Sequence, residues 1–207
     1  MKEGKLVLII LSIAVLIFTA FYLVTRDITL PDNQAMPWQS YVNDQGETVV
    51  FELTMGKSTL ADAMRLFGTE VEASLFEEDN NKKDLEVFFS STKVGGISAK
   101  VILNLDLNNQ QFAYLNNNIK ETEALSIDTK KISFNQAGES SMFALTINSL
   151  TFIPRADLSA DTLIGLFKKP ARVDLVESGI EYWYYPSKGL RIIVDTENKE
   201  ILEFYTP

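Results

Sequence analysis

The longest uninterrupted hydrophobic pattern in this chain begins at Leu6 and ends at Val24, with Lys5 before it and Arg26 after it. As a helix this run is about 28 Å long, close to the thickness of the hydrocarbon core of a bilayer. It predicts a transmembrane signal anchor over residues 1–26, so that the chain meets the membrane through this run. The alternative is a cleaved signal peptide, which needs a shorter apolar core and small residues at the cleavage site.

The charges beside the run predict its orientation. Lys2, Lys5 and the amino terminus lie on one side, and Arg26 with its neighbour Asp27 lies on the other. Because basic flanks favour the cytoplasmic side, we expect a single-pass protein of the inner (cytoplasmic) membrane with a cytoplasmic N-terminus. The C-terminal domain would then be periplasmic or extracellular. Residues 27–47 are polar and contain prolines, which predicts a tether.

Two later segments have apolar residues at helical spacing, each after a serine that can cap the first turn. The first follows Ser58 and the second follows Ser159; their apolar residues are Leu60, Ala63, Met64 and Phe67, then Leu163, Ile164 and Phe167. Gly68 directly after the first helix and Pro170 shortly after the second are typical stop signals.

After each predicted helix the hydrophobic period changes from 3.6 to 2, as in strands. The predicted strands are 71–75, 85–89, 101–107 and 112–115, then 171–176, 180–185, 190–195 and 201–205. Short connections between them favour antiparallel meanders. The expected fold class is α+β: an N-terminal transmembrane helix followed by two helix-plus-antiparallel-β-meander repeats, 48–115 and 155–207. Residues 116–154 form an intervening β segment, with strands near 130–134 and 142–152.

The sequence of residues 53–68, LTMGKSTLADAMRLFG, resembles the helical opening of the small outer-membrane-assembly lipoproteins of the SmpA/OmlA (BamE-like) type, and of the related β-lactamase-inhibitor-protein-like repeats. Residues 159–170, followed by Tyr182-Trp183-Tyr184-Tyr185, are similar to a degenerate second copy. The resemblance implies a helix-plus-antiparallel-sheet module that binds other proteins and catalyses nothing. Those lipoproteins are anchored through a cysteine, and this chain has no cysteine.

The aromatic run 182–185 is the most suggestive candidate for a binding surface. On a strand, Ile180, Tyr182 and Tyr184 share one face, and Glu181, Trp183 and Tyr185 share the other. If the first set packs under the helix, the second forms an exposed interaction patch with the next strand. The members of that candidate patch are Glu181, Trp183, Tyr185, Arg191 and Ile193. In the alternative, residues 116–154 cover this face and both sides are core.

The amino-acid composition excludes several kinds of binding and catalytic site. The formal net charge of −9 argues against binding to nucleic acid, whose phosphates repel an acidic surface. The chain has no histidine and no cysteine, which removes the commonest general base, the thiol nucleophile and the usual zinc ligands. We therefore expect no cofactor and no metal.

Three short motifs resemble known functional motifs, but each lacks a residue that the function requires. Gly56-Lys57-Ser58-Thr59 lacks the earlier glycine of a phosphate-binding loop, where Phe51 stands, so no nucleotide is expected. Ser90 and Lys93 have the spacing of penicillin-recognising enzymes without the companion signature. Asn104, Asp106 and Asn108 supply too few carboxylates for a tight calcium site.

Together these features predict a membrane-anchored, extracytoplasmic and non-catalytic protein-binding or assembly module of the cell envelope, with an envelope or membrane protein as partner. One alternative is a periplasmic ligand sensor or enzyme inhibitor that binds a peptide or glycan. A second is a carboxylate-dependent cell-wall hydrolase, which needs two carboxyls across a cleft. Glu77, Glu78 and Asp79 lie in a polar segment that is more typical of a solvated turn.

Overall fold

The computed structural model describes residues 35–78, 82–177 and 179–206. The predicted transmembrane anchor, residues 1–26, and the first part of the tether lie outside these ranges. No helix within the described ranges is long and apolar enough to cross a membrane. What is described is a mainly β structure with short helices.

Thirteen strands and four α-helices follow one another in the described part of the chain. The strands are β1 Tyr41–Val42, β2 Thr48–Val50, β3 Leu53–Thr54, β4 Glu72–Glu78, β5 Lys83–Val94, β6 Ile97–Leu105, β7 Ile119–Ala124, β8 Thr129–Phe134, β9 Ile147–Pro154, β10 Arg172–Glu177, β11 Ile180–Tyr185, β12 Leu190–Asp195 and β13 Ile201–Tyr205. The helices are α1 Leu60–Phe67, α2 Asn109–Asn116, α3 Gln136–Ser141 and α4 Ala160–Phe167.

The strands form two antiparallel sheets. Strands β1, β2 and β3 make a small sheet, and the other ten form one large sheet in the order β10-β11-β12-β13-β9-β6-β5-β4-β8-β7. The predicted α+β fold class with two helix-plus-meander repeats is therefore wrong, because the described structure is mainly β and most of its strands form one sheet. Strand β9 pairs with β6 on one side and with β13 on the other, which joins both meanders into a single sheet.

One predicted strand is a helix. Residues 112–115 belong to α2, which starts with a capping box at Asn108. The Asn108 side chain accepts hydrogen bonds from the backbone N–H groups of Gln110 (3.0 Å) and Gln111 (2.9 Å), and the Gln111 side chain accepts one from the Asn108 N–H (2.9 Å). This reciprocal pairing satisfies amides that the first turn leaves open. The four strands predicted between residues 171 and 205 are confirmed as β10 to β13.

Helices α1 and α4 cover one face of the large sheet. Their buried side chains belong to the same hydrophobic cluster as the inward-facing residues of the strands, and they are Leu60, Ala63, Phe67, Leu163 and Phe167. Ser159 caps α4 as predicted, since its Oγ accepts from the Thr162 N–H. The cap of α1 is Thr59 rather than Ser58, whose Oγ accepts from the Thr54 N–H instead.

Phe51 links the three layers of the core. Its ring centroid lies 5.7 Å from that of Phe67 on α1, 5.3 Å from that of Phe152 on β9 and 6.3 Å from that of Phe204 on β13. Phe51 is itself in the turn between β2 and β3. The small sheet is thereby fixed to both the helix and the large sheet on the covered face.

The predicted polar tether ends earlier than expected, because residues 35–47 already belong to the folded unit. Pro37 is buried in a 3₁₀ turn, Pro37–Gln39. The ring of Trp38 packs edge-on against Phe167, with a centroid distance of 6.4 Å, and its carbonyl accepts a hydrogen bond from Lys188 Nζ (2.7 Å). These apolar contacts hold a segment whose neighbours in sequence are mostly polar.

Candidate functional site

Two members of the predicted interaction patch are buried. Trp183 is only 6% exposed and Tyr185 only 4%. Their polar atoms are paired: Trp183 Nε1 donates to Glu181 Oε2 (2.8 Å), and the Tyr185 hydroxyl donates to the carbonyl of Lys168 (3.1 Å). Burial raises the pKa of Tyr185 to about 12. The predicted exposure of these two rings is therefore wrong.

The cover over these rings comes from α4 rather than from residues 116–154, the alternative that the sequence left open. The ring centroid of Tyr185 lies 5.9 Å from that of Phe167, at the end of α4. Trp183 and Tyr185 both belong to the main hydrophobic cluster, together with Leu163 of the same helix. On β11 it is thus the set with Glu181, not the set with Tyr182, that packs under a helix.

Arg191 and Ile193 lie on the opposite face of the sheet from Trp183. Strand β12 pairs with β11 so that Arg191 is opposite Tyr184 and Ile193 is opposite Tyr182. Directly opposed residues of antiparallel strands share a face. The structure therefore divides the predicted patch into a covered part with Glu181 and an uncovered part with Arg191. A one-residue difference in register is enough to exchange the two faces.

We use the term open face for the side of the ten-stranded sheet that lies opposite α1 and α4. None of the side chains on this side belongs to the hydrophobic core cluster of the described residues. Strand registers align eight of them in one row across eight strands. In order, this row is Glu72, Phe88, Ile102, Thr151, Glu203, Arg191, Tyr184 and Arg172.

One end of the row combines arginines with tyrosines. The Arg172 guanidinium carbon lies 4.1 Å from the ring centroid of Tyr184, and that of Arg191 lies 4.8 Å from the ring centroid of Tyr182. Arg191 Nε also donates to Glu203 Oε2 at 2.6 Å. These contacts hold the guanidinium groups over the rings, so the side chains are ordered before any partner arrives.

The other end of the row is a pocket of about 290 Å³, which we name the open-face pocket. Seven side chains from four adjacent strands line it: Glu72, Ser74, Phe76, Glu86, Phe88, Ile102 and Lys131. The three apolar residues among them are Phe76, Phe88 and Ile102. Lys131 Nζ bonds to Glu72 Oε1 at 2.6 Å, which neutralises one acid and one base at the rim.

Two polar side chains in the open-face pocket, Ser74 and Glu86, are not paired in the way that Lys131 and Glu72 are. Ser74 is 4% exposed, and its Oγ has no hydrogen-bond partner among the described residues. Glu86 is directly opposite Ser74 in the β4–β5 register, on the same face. Burial raises the pKa of Glu86, and the nearby Asp84 carboxylate raises it further, while Lys82 acts in the opposite direction.

The other motifs of the sequence have structural roles in the described residues. Thr59 begins a helix, Ser91 accepts a hydrogen bond from Arg155 on the outside of β5, and Asn108 caps α2. Among the residues that the structure describes, no three His, Cys, Asp or Glu side chains are grouped so as to hold a metal ion.

Comparison with family models, with curated proteins and with solved structures gives no match for this chain. The resemblance of residues 53–68 and 159–170 to the outer-membrane-assembly lipoproteins and inhibitor repeats therefore stays a prediction from those residues. The open face itself could not be read from the sequence without the strand registers. The sequence contains the aromatic run 182–185, whose alternation indicates two faces but not which of them is covered.

Proposed function

We propose that this protein is a non-catalytic protein-binding or assembly module that engages its partner through the open face. The observation that supports the proposal is the row of eight side chains across the sheet, which mixes aromatic, apolar and arginine residues without a covering layer. Tyrosine, phenylalanine and arginine are the types enriched at protein interfaces and their energetic centres.

The size of the surface suits a protein partner. Eight strands at a spacing of about 4.8 Å give a row about 34 Å long. With one further row of side chains on each side, the strip is about 20 Å wide and covers about 700 Å². One partner of a standard interface buries about 800 Å². A small molecule would cover only a fraction of this strip.

The rigidity of the surface favours binding as well. Binding normally costs conformational freedom in each long side chain that becomes ordered. Here Arg172 and Arg191 are already held by tyrosine rings, and Arg191 also by Glu203. Because the backbone is fixed by pairing on both sides of each inner strand, the row keeps its spacing. The surface therefore needs little reorganisation to meet a partner of matching shape.

The location of the protein stays a prediction of the sequence. On that prediction the domain acts outside the cytoplasm and its partner is an envelope or membrane protein. The ligand-sensor and hydrolase alternatives differ in what they would bind: a sensor or inhibitor takes a peptide, glycan or enzyme, and a hydrolase must cleave cell-wall material. Capture of a protein through the open face separates the module from a peptide or glycan sensor, and the identity of that protein separates it from an enzyme inhibitor. A cleavage assay separates it from the hydrolase.

The experiment is affinity purification of the tagged 207-residue chain from its own cells, with quantitative mass spectrometry, in wild type and two variants. Thr151→Arg places a bulky cation in the middle of the row. Ile164→Arg places the same group on α4, at a residue that is 36% exposed. We expect a discrete protein partner with wild type and Ile164→Arg and its loss with Thr151→Arg, provided that all three have equal melting temperatures. Equal recovery with both variants would refute the proposal, and cell-wall cleavage by the pure chain would favour the hydrolase.

A further inference from the structure

We propose that the open-face pocket binds a primary alkylammonium group, carried either by a lysine side chain of the protein partner or by a free amine. The partner-borne source rests on the function proposed above, whereas the free-amine source does not. The argument uses three features of the pocket: a buried hydroxyl, a carboxylate without a cation and an apolar wall.

The buried hydroxyl is that of Ser74, in the middle of β4. Its side chain lines the pocket, and its Oγ makes no hydrogen bond with the described residues although the residue is 4% exposed. Buried polar atoms are almost always hydrogen-bonded, and an exception requires an explanation. A serine hydroxyl can accept from an N–H donor, so a donor placed in the pocket would supply the missing bond.

The carboxylate without a cation is that of Glu86. Two lysines are close, but each forms an ion pair with another acid: Lys131 with Glu72 at 2.6 Å and Lys82 with Asp84 at 2.7 Å. Within the described part of the chain no cation lies within ion-pair distance of Glu86. The charged residues that line the pocket are Glu72, Glu86 and Lys131, so their charges leave one negative charge uncompensated.

The geometry favours an ammonium group over other cations. Ser74 and Glu86 are opposite one another on neighbouring strands and line the same pocket, so one group bound between them can contact both side chains. An ammonium group has three donors that can point to separate acceptors, here the serine hydroxyl and the carboxylate, whereas a guanidinium group pairs in one plane with a single carboxylate.

The apolar wall suits the alkyl stem that carries the charge. Phe76, Phe88 and Ile102 line the same pocket, and Phe88 is directly opposite Ile102 on β6. A methylene chain packs favourably against such a surface while its charged end reaches the polar groups. The volume of about 290 Å³ is far larger than the roughly 30 Å³ of one water molecule, so the pocket holds a group of several heavy atoms.

The test is a titration of the purified 207-residue chain with Nα-acetyl-lysine methylamide, followed by NMR chemical shifts or calorimetry. The matched neutral probe carries an Nε-acetyl group. The variants are Glu86→Gln and Ser74→Ala, and the control is Glu139→Gln, which removes an exposed carboxylate on α3, outside the row. Thermal unfolding of each variant verifies that it is folded.

We expect saturable binding of the charged probe to wild type and to Glu139→Gln, and no binding of the neutral probe. Glu86→Gln should weaken binding by about tenfold or more, and Ser74→Ala by a smaller factor, as for hydrogen bonds to a charged group. Equal binding to wild type and Glu86→Gln, equal binding of both probes, or no saturable binding would each overturn the inference.

The two sources of the amine, and the two proposals, are separable. If a protein partner is captured and its lysine crosslinks to a photoreactive residue at Phe88, the partner supplies the group. If the probe binds but no protein is captured, the free-amine source holds and the proposed function fails. If a protein is captured and the probe does not bind, the proposed function stands and this inference fails.

Discussion

Gly189 is a position where a single added methyl group should damage the fold severely. It ends the 3₁₀ turn Pro186–Lys188 with a φ of 56°, and a Cβ added there would lie 1.7 Å from Thr48 Oγ1. Thr48 is fully buried, and its hydroxyl donates to the Tyr205 carbonyl at 2.6 Å. The contact joins the small sheet to β13, so a shift of Thr48 would disturb the junction between the two sheets.

The expected cost of Gly189→Ala is the sum of three effects. An alanine in the left-handed region costs about 1–2 kcal/mol relative to glycine. Forcing extra volume into a packed site costs about 1–3 kcal/mol. Losing the part-buried Thr48–Tyr205 hydrogen bond costs about 1–2 kcal/mol. Allowing for partial relaxation, we expect a loss of about 3–5 kcal/mol in the free energy of unfolding.

The assay is chemical denaturation of wild type and variants, with Gly46→Ala as the matched control. Gly46 also has a positive φ, of 80°, but an added Cβ there has no atom within 4 Å. The control should therefore lose only the backbone part, about 1–2 kcal/mol. In the double variant Gly189→Ala/Thr48→Gly the steric part of the penalty should disappear. If Gly189→Ala cost no more than Gly46→Ala, the packing at this junction would not be as described.

Three smaller changes test other parts of the structure. Glu52→Gly should stabilise the protein by about 0.5–1 kcal/mol, measured by denaturation, because exposed Glu52 has a φ of 64° in a two-residue hairpin turn where glycine is favoured. Tyr185→Phe should cost about 1 kcal/mol through loss of the hydrogen bond to Lys168, and in wild type this phenol should ionise only near pH 12 in an absorbance titration. Glu86→Gln should raise the melting temperature at neutral pH, and the difference from wild type should shrink as the pH falls. The reason is that the raised pKa of Glu86 makes the folded state bind this proton more tightly than the unfolded chain does, so the ionised carboxylate destabilises the fold.

Each of these has a result that would count against it. A destabilised Glu52→Gly would mean that the hairpin turn does not require a left-handed residue there. A Tyr185 that ionises together with exposed tyrosines would contradict its burial under α4. A Glu86→Gln variant less stable than wild type at neutral pH would show that the carboxylate already has a favourable partner in the free protein.

The sequence predicts local structure better than the pairing of strands. The alternation in residues 171–205 locates β10 to β13, because each strand is short, alternates cleanly and is bounded by turn residues. The sequence predicts a strand at residues 112–115 instead of helix α2. The apolar residues of this helix are too few to show a clear helical spacing. The pair Asn108 and Gln111, three residues apart, is the capping signal in the sequence that indicates this helix.

The open face depends on pairing between strands that are far apart in sequence, which the hydrophobic pattern of a single segment does not reveal. Strand β9 joins the two meanders by pairing with β6 and with β13, each about 50 residues away. The same long-range register decides that Arg191 is opposite Tyr184 and not Trp183. Because the side chains alternate between faces, the sequence identified the right strands for a surface but assigned the rings to the wrong side.

The central claim, that a protein partner binds the open face, is tested most directly by a photoreactive phenylalanine analogue at Tyr184 in the 207-residue chain, in intact cells. Tyr184 is on the open face, and Tyr114 on α2, 49% exposed and away from the row, is the matched control position. The proposal predicts a crosslinked adduct of defined mass from Tyr184, abolished by Thr151→Arg, and none from Tyr114. The same adduct from Tyr114 alone, or an adduct from Tyr184 that persists in Thr151→Arg, would contradict it.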